Sequence, residues 1–115
     1  MSIFKQKRQT ARKALIYYLE VYDSDSRKLI GRVVDITTGG FQMISEEQAE
    51  AGKAYQLKIQ LPEEIQGVAE IQFDTRCVRS VRDHHSKYYY SGFKFREISP
   101  DQSSIIGKLI SQFEF

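Results

Sequence analysis

Residues 55–61, Tyr-Gln-Leu-Lys-Ile-Gln-Leu, decide the fold class: Tyr55, Leu57, Ile59 and Leu61 alternate strictly with Gln56, Lys58 and Gln60. A period of two puts the apolar set on one face and the polar set on the other, the pattern of a half-buried β-strand. Pro62 and the acidic pair Glu63-Glu64 read as the end of that strand. The following stretch, Val68 to Val81, is long for a single strand. Its apolar phase runs Ala69, Ile71, Phe73, Thr75, Cys77 and then slips to Val78, which predicts a β-bulge near Cys77. Asp83-His84-His85-Ser86 is short and polar, a hairpin connection, and Tyr88 to Phe95 is the return strand.

On the N-terminal side, Ala14 to Tyr22 alternates Leu15, Tyr17, Leu19 and Val21 with Ile16, Tyr18, Glu20 and Tyr22, rich in β-branched and aromatic residues. Asp23-Ser24-Asp25-Ser26 is a turn cluster. Leu29 to Thr37 reads as a second strand, with Gly31 suggesting a bulge inside it. Gly39-Gly40 breaks the chain before Phe41 and Met43 resume an extended pattern, and Gln48 to Lys53 is a loop or short helical turn. Near the C-terminus, Ser99-Pro100-Asp101-Gln102 supplies a serine N-cap, a proline at the first helical position and a glutamine completing a capping box. Ile105, Ile106, Leu109, Ile110 and Phe113 follow on one helical face. Short strands at this spacing with one closing helix predict a mainly β protein, a small antiparallel barrel plugged or flanked by the helix.

The chain has 115 residues, enough for one domain with a real core. Its 41% hydrophobic and 28% charged content excludes wholesale disorder. The single cysteine, Cys77, excludes an internal disulfide, and with two histidines a zinc site of Cys and His alone is out of reach. The net charge of +2 hides an asymmetry. Residues 1–13 carry Lys5, Lys7, Arg8, Arg12 and Lys13 and no acid, a charge of +5. The other 12 of the 17 Lys and Arg residues face 15 acids, leaving −3 on the body. No apolar stretch resembles a secretory signal, and none approaches the roughly 20 residues of a membrane-spanning helix. With one unpaired cysteine, these features fit a cytoplasmic protein without membrane insertion. The arm has the charge of a mitochondrial presequence, but it runs into strand-like sequence without a cleavage pattern.

Two short patterns carry the chemistry. Arg8-Gln9-Thr10-Ala11-Arg12 is an RxxxR preceded by Lys7, and Asp35-Ile36-Thr37-Thr38-Gly39-Gly40 is a DxTxxG at a strand end. Together, in this order and with Arg12 and Asp35 23 positions apart, they resemble the signature of the PilZ domain family, RxxxR followed by (D/N)xSxxG. Val34 to Thr37 and Gly39 to Phe41 are similar to the flanks of the family's second motif, and Gly92-Phe93-Lys94-Phe95 resembles the G-x-x-F of its last strand. The resemblance covers nearly the whole chain. It implies a six-stranded antiparallel β-barrel with a C-terminal α-helix and a mobile basic arm. Residues 1–13 would be the arm, and residues 14–115 the barrel domain with its helix over 100–113. It also implies a receptor for cyclic di-GMP, with no other cofactor, that signals to an unidentified downstream protein.

The residue types suit that ligand, which offers two phosphates and two guanines. Arg8 and Arg12 carry forks that match a guanine O6/N7 edge or a phosphate, and they can stack on a base. Asp35, with acceptors only, suits the guanine N1–H and N2 donors. Thr37 supplies a hydroxyl near the phosphates or as a turn cap. Gly39 and Gly40 are expected to permit positive φ and close approach of ligand to backbone. Thr37 stands where the family has serine, and its extra methyl adds bulk and stiffens χ1. A basic residue at the position of Lys7 goes, in the family, with binding of a stacked ligand dimer, so the resemblance leaves the stoichiometry open. Arg76, Arg79 and Arg82 are further candidate cations whose faces the sequence does not fix.

Plainer readings stand beside these. A basic N-terminus is by itself most often a solvated tail. His84 and His85 are adjacent and read as a solvated hairpin rather than a metal site, Cys77 as a small core residue, and Tyr88-Tyr89-Tyr90 as packing split over two faces. No spacing of nucleophile, histidine or paired carboxylates suggests catalysis, so an enzyme is not expected. Two rivals to the receptor are a protein-interaction module of the same fold and a nucleic-acid-binding barrel. The −3 body is the wrong background for the latter.

Overall fold

The computed structural model describes residues 19–113, with the Phe113 side chain excluded. The expected arm, with Lys7, Arg8 and Arg12, and the first residues of the Ala14–Tyr22 strand lie outside the described residues. Alternating sequence becomes six strands: β1 (Glu20–Asp23), β2 (Leu29–Thr37), β3 (Gly40–Ser45), β4 (Ala54–Ile65), β5 (Val68–Arg82) and β6 (Tyr89–Phe95). Helix α1 (Pro100–Phe113) follows. All pairings are antiparallel, and the order β1-β2-β3-β6-β5-β4 closes on itself, so no sheet edge is left unpaired. The expected barrel with one C-terminal helix is the observed architecture.

The inward set is the one the alternation selects. Val21, Val33, Leu57, Ile59, Phe73 and Cys77 are buried with Phe41, Met43, Phe93 and Phe95 in one cluster. Phe41 stacks on Phe93 at 5.2 Å and Phe73 on Phe95 at 4.4 Å, offset geometries that add to their area burial. Buried Thr75 is satisfied by its hydroxyl donating to the Tyr55 carbonyl, 3.0 Å, and Ser91 by the Ser80 hydroxyl, 2.8 Å. Helix α1 adds Ile105, Ile106 and Leu109 to the cluster and packs against β2 and β4. Its capping box is complete: the Gln102 N–H donates to Ser99 Oγ at 3.1 Å, and the Ser99 N–H to Gln102 Oε1 at 2.9 Å. The Gln102 amide also donates to the Gln72 carbonyl at 2.8 Å, tying the helix start to β5.

Three single-residue bulges shape the barrel. Ile30 is the extra residue between the Leu29–Tyr22 and Gly31–Val21 pairs, next to the glycine that suggested it. Val34 is extra between Val33–Met43 and Asp35–Gln42, and Val78 between Cys77–Phe93 and Arg79–Gly92. The last is the slip read from the apolar phase at Cys77.

Several expectations need correction. Strand β4 does not end at Pro62 but runs through it to Ile65. The β4–β5 register shifts between Gln60 and Ile65, so Pro62 sits where the regular ladder is interrupted and its missing N–H is tolerated. The real turn is Gln66-Gly67, both with positive φ, 56° and 79°, as a two-residue type I′ hairpin requires. Ala69 sits beside this irregular stretch and is exposed. Of the two readings for residues 48–53, a loop or a short helical turn, the loop is the observed one, with Gly52 at φ 89°. Neither Gly39 nor Gly40 has positive φ. Gly40 is needed for a different reason: an added Cβ would overlap the Phe93 carbonyl oxygen across the β3–β6 pair. At Gly39 the nearest atom to such a Cβ, Thr37 Oγ1, would be at an ordinary 3.7 Å.

Two outcomes follow from this packing. In denaturant unfolding, Gly40→Ala should lose about 1–3 kcal/mol, the cost of overpacking, while Gly39→Ala stays within about 0.5 kcal/mol. Equal losses at both positions would contradict the strand geometry. Burial pushes the Cys77 thiol pKa up, only partly offset by a backbone hydrogen bond from Arg79. At pH 8 the folded protein should therefore resist a thiol reagent and react fully only after unfolding. Stoichiometric labelling within minutes in native buffer would contradict the placement of Cys77.

Candidate functional site

On a regular strand Val33 inward would make Asp35 inward too. The extra residue at Val34 resets the alternation, so Val33 and Ile36 are both buried while Asp35 and Thr37 are exposed on the outer face. Two of the motif residues thus stand together on the barrel surface, Gly39 follows in the β2–β3 turn, and Gly40 opens β3. The Thr37 hydroxyl accepts the Gly39 N–H at 3.1 Å, and the Gly39 carbonyl accepts the Phe95 N–H at 3.0 Å. The turn is therefore pinned both by the threonine cap and by β6. The Thr37 methyl does not prevent the capping role expected of its hydroxyl.

Cross-strand pairing shows what shares this face. One row runs Asp35–Gln42–Gly92–Arg79 over β2, β3, β6 and β5, and the next runs Thr37–Gly40–Lys94–Arg76. Sequence reasoning missed Gln42 and Lys94 and took Gly92 only as part of a strand signature. The slip at Cys77 hinted that Arg79 had changed face, but the direction needed the register. Of the three candidate arginines, Arg76 is engaged, donating from Nη1 to the Gly52 carbonyl at 2.7 Å. Among the described residues, no side-chain hydrogen bond or ion pair occupies the Asp35 carboxylate, the Lys94 ammonium or the Arg79 guanidinium. The face therefore offers acceptor and donor groups together on a glycine-interrupted surface.

A third row, Arg32–Ile44–Tyr90–Val81, flanks the first on the same side. Burial and the nearby Asp83 carboxylate push the Tyr90 pKa up, so the phenol stays a donor through the neutral range. Tyr88, Tyr89 and Tyr90 are all half-buried, with Tyr89 and Tyr90 on opposite faces of β6. His84 and His85 lie at the exposed β5–β6 hairpin tip. Among the described residues no cluster of His, Cys, Asp or Glu could hold a metal ion. A larger cavity of about 540 Å³ opens at the barrel mouth away from the β4–β5 hairpin, among Ile30, Met43, Tyr55 and Phe93. None of the motif residues lines it.

Comparison with known proteins agrees with this architecture. The PilZ domain family model matches residues 6–112. No curated protein matches the chain significantly. Among solved structures, the Bacillus subtilis inhibitor of motility (MotI/DgrA) is similar over 94% of this chain, with a TM-score of 0.66 and 21% identity. The chain spans about half of that protein, 51% of its length. At this identity the likeness shows the fold alone. The family match extends over both motifs, the barrel and nearly all of the helix, and the chain belongs to the PilZ domain family.

Proposed function

We propose that this chain is a cyclic di-GMP receptor and adaptor, a binding module rather than an enzyme, working in the cytoplasm. The observation that carries the reading is the Val34 bulge, which turns Asp35 and Thr37 outward together beside the Gly39-Gly40 turn. Asp35 would accept from a guanine edge, the two glycines would let the ligand approach the backbone, and Arg8 and Arg12 would close on it as paired forks, with Lys7 beside them. Chain geometry favours this. The Leu19 carbonyl accepts the Val33 N–H at 2.8 Å, two positions from Asp35. Arg12 and Leu19 are seven positions apart, a contour of up to about 25 Å, sufficient to reach the outer face of β2 and β3.

Binding would draw the arm onto the barrel, and the face so formed would be read by a downstream protein. The ligand shifts the population toward that closed form only by its differential affinity for it. Among the described residues no helix is long and apolar enough to cross a membrane.

Calorimetric titration of the full chain with cyclic di-GMP is the test. Arg8→Ala and Arg12→Ala should each lose roughly 1.5–3 kcal/mol, about ten- to hundredfold in Kd. Arg→Lys at either position should recover little, since lysine lacks the fork. Asp35→Ala should weaken binding without lowering thermal stability, because its carboxylate is exposed. Absence of heat at high micromolar ligand would overturn the receptor. A partner captured equally with and without nucleotide would favour the interaction-module reading.

A further inference from the structure

The third bulge, at Ile30, lies at the other end of β2 from the Asp35 turn. Val21 faces the core and pairs with Gly31, so strict alternation would send Leu29 inward as well. The extra residue resets the phase. Ile30 packs against the core, and Leu29, paired with Tyr22, is turned to solvent with 43% of its surface exposed. Leu29 stands on the rim of the 540 Å³ cavity at the barrel mouth, above a floor that includes Met43, Tyr55 and Phe93. An exposed apolar knob and an open apolar hole therefore sit side by side on one end of the barrel. We propose that this mouth is the interface of a two-fold symmetric homodimer, in which Leu29 of each copy seats in the cavity of the other.

The cavity is held open by its own wall. Residues 46–50 are pinned on the far side from β2: the Gln48 amide donates to the Ser80 carbonyl at 3.2 Å, the Ala49 N–H to Ser80 Oγ at 3.1 Å, and the Glu50 N–H to the Tyr55 hydroxyl at 3.0 Å. The Ser45 hydroxyl donates to the Glu47 carbonyl at 2.7 Å and fixes the start of the same loop. Tied in this way to β4 and β5, the loop cannot fall onto the apolar floor. Toward the β4–β5 hairpin the chain supplies its own cover, since Ile105, Ile106 and Leu109 of α1 join the core and the Gln66 amide donates to Ser104 Oγ at 3.0 Å. Among the described residues no element covers the mouth in that manner.

The rim charges select a second copy as the occupant. Lys28 and Arg32 lie on the β2 side of the cavity, and Glu46 and Glu47 on the loop side. Arg32 is engaged by Glu20 at 3.4 Å, and Glu46 by Lys87 at 3.8 Å. Among the described residues the exposed side chains of Lys28 and Glu47 have no hydrogen bond or ion pair. A two-fold rotation about an axis between them brings Lys28 of each copy to Glu47 of the other, so both charges are answered, and the same rotation exchanges knob and hole. A partner with one sign of charge would be repelled at one of the two. The dimer also leaves the Asp35 face open, because β2 places about 26 Å of strand between Leu29 and Thr37.

Sedimentation equilibrium of the full chain without nucleotide, up to high micromolar concentration, is the test. The wild-type chain should show a monomer–dimer equilibrium. Leu29→Asp should raise the dimer Kd roughly tenfold or more with an unchanged Tm, since Leu29 is already exposed in the single chain. Lys28→Glu and Glu47→Lys should each weaken the dimer, because two like-charge contacts replace two opposite ones, and the double variant should restore it. An equimolar mixture of the two single variants should form a heterodimer, as two-fold pairing of these residues requires. Val81→Asp, on the outer wall, is the control and should leave the dimer intact. A wild-type chain that stays monomeric, a dimer that survives Leu29→Asp, or charge reversals that neither the double variant nor the mixture rescues overturns the interface. Because no ligand is present, each of these results leaves the receptor reading where it stands.

Discussion

Side chains on a strand alternate strictly between two faces, so one unpaired residue exchanges inside and outside for everything beyond it. In this barrel that constraint decides the site. Without the extra residue at Val34, a register that keeps Val33 in the core would drive the Asp35 carboxylate into an interior filled by Phe41, Met43 and Phe93. An unpaired charge there would cost several kcal/mol. With it, Ile36 returns to the core and Asp35 and Thr37 face outward on the same side. The Val78 bulge repeats the device on β5. It keeps Cys77 and Phe93 inside while Arg79 emerges opposite Gly92.

The parts of this architecture that were legible in the sequence are those where the physics is local. Tyr55 to Leu61 alternates because the same residues form the pleat and face the core. Ser99 and Gln102 are both ends of one capping interaction, and the structure contains both hydrogen bonds. The slip at Cys77 was visible because an apolar phase ran long enough before it to make the break obvious. The Val34 bulge was not visible, because Val33 and Val34 are both apolar and either could be the inward residue. Pro62 misled for a related reason: proline breaks a regular ladder, and only the partner strand reveals that the ladder is already irregular there. The two glycines of the motif showed where the chain turns but not why. Gly40 answers to the Phe93 carbonyl, 53 positions away in sequence, a constraint no local pattern carries.

The charge distribution needs the same three-dimensional correction. A body of −3 suggests a surface that repels anions, yet its acids are not spread evenly. Glu46, Glu47 and Glu50 lie in the loop after β3, and Glu63 and Glu64 in the irregular end of β4. The rows around the β2–β3 turn set Asp35 alone against Arg76, Arg79 and Lys94. At about 0.15 M salt charges are screened beyond roughly 8 Å, so an approaching anion responds to these local rows and not to the sum over the body. In the proposed receptor the +5 of residues 1–13 and the cations of these rows would attract an anion together.

A closed barrel also limits where a response to ligand can arise. Every strand is paired on both sides, and the core cluster runs unbroken from Val21 to Leu109 of the helix. Close packing of this kind resists small deformations, so binding energy gained at the outer face cannot readily be expressed as a change of the barrel. The outward-facing rows are held by backbone pairing, which presents Asp35, Thr37 and Arg79 at fixed spacing before any ligand arrives. Preorganisation of that sort lowers the ordering cost on the barrel side and leaves it with whatever chain closes over the ligand. In the proposed receptor that chain would be the stretch with Arg8 and Arg12, and its ordering would be the signal. A rigid barrel would suit such a receptor, since a soft one would dissipate the difference between the free and bound states that a partner would read.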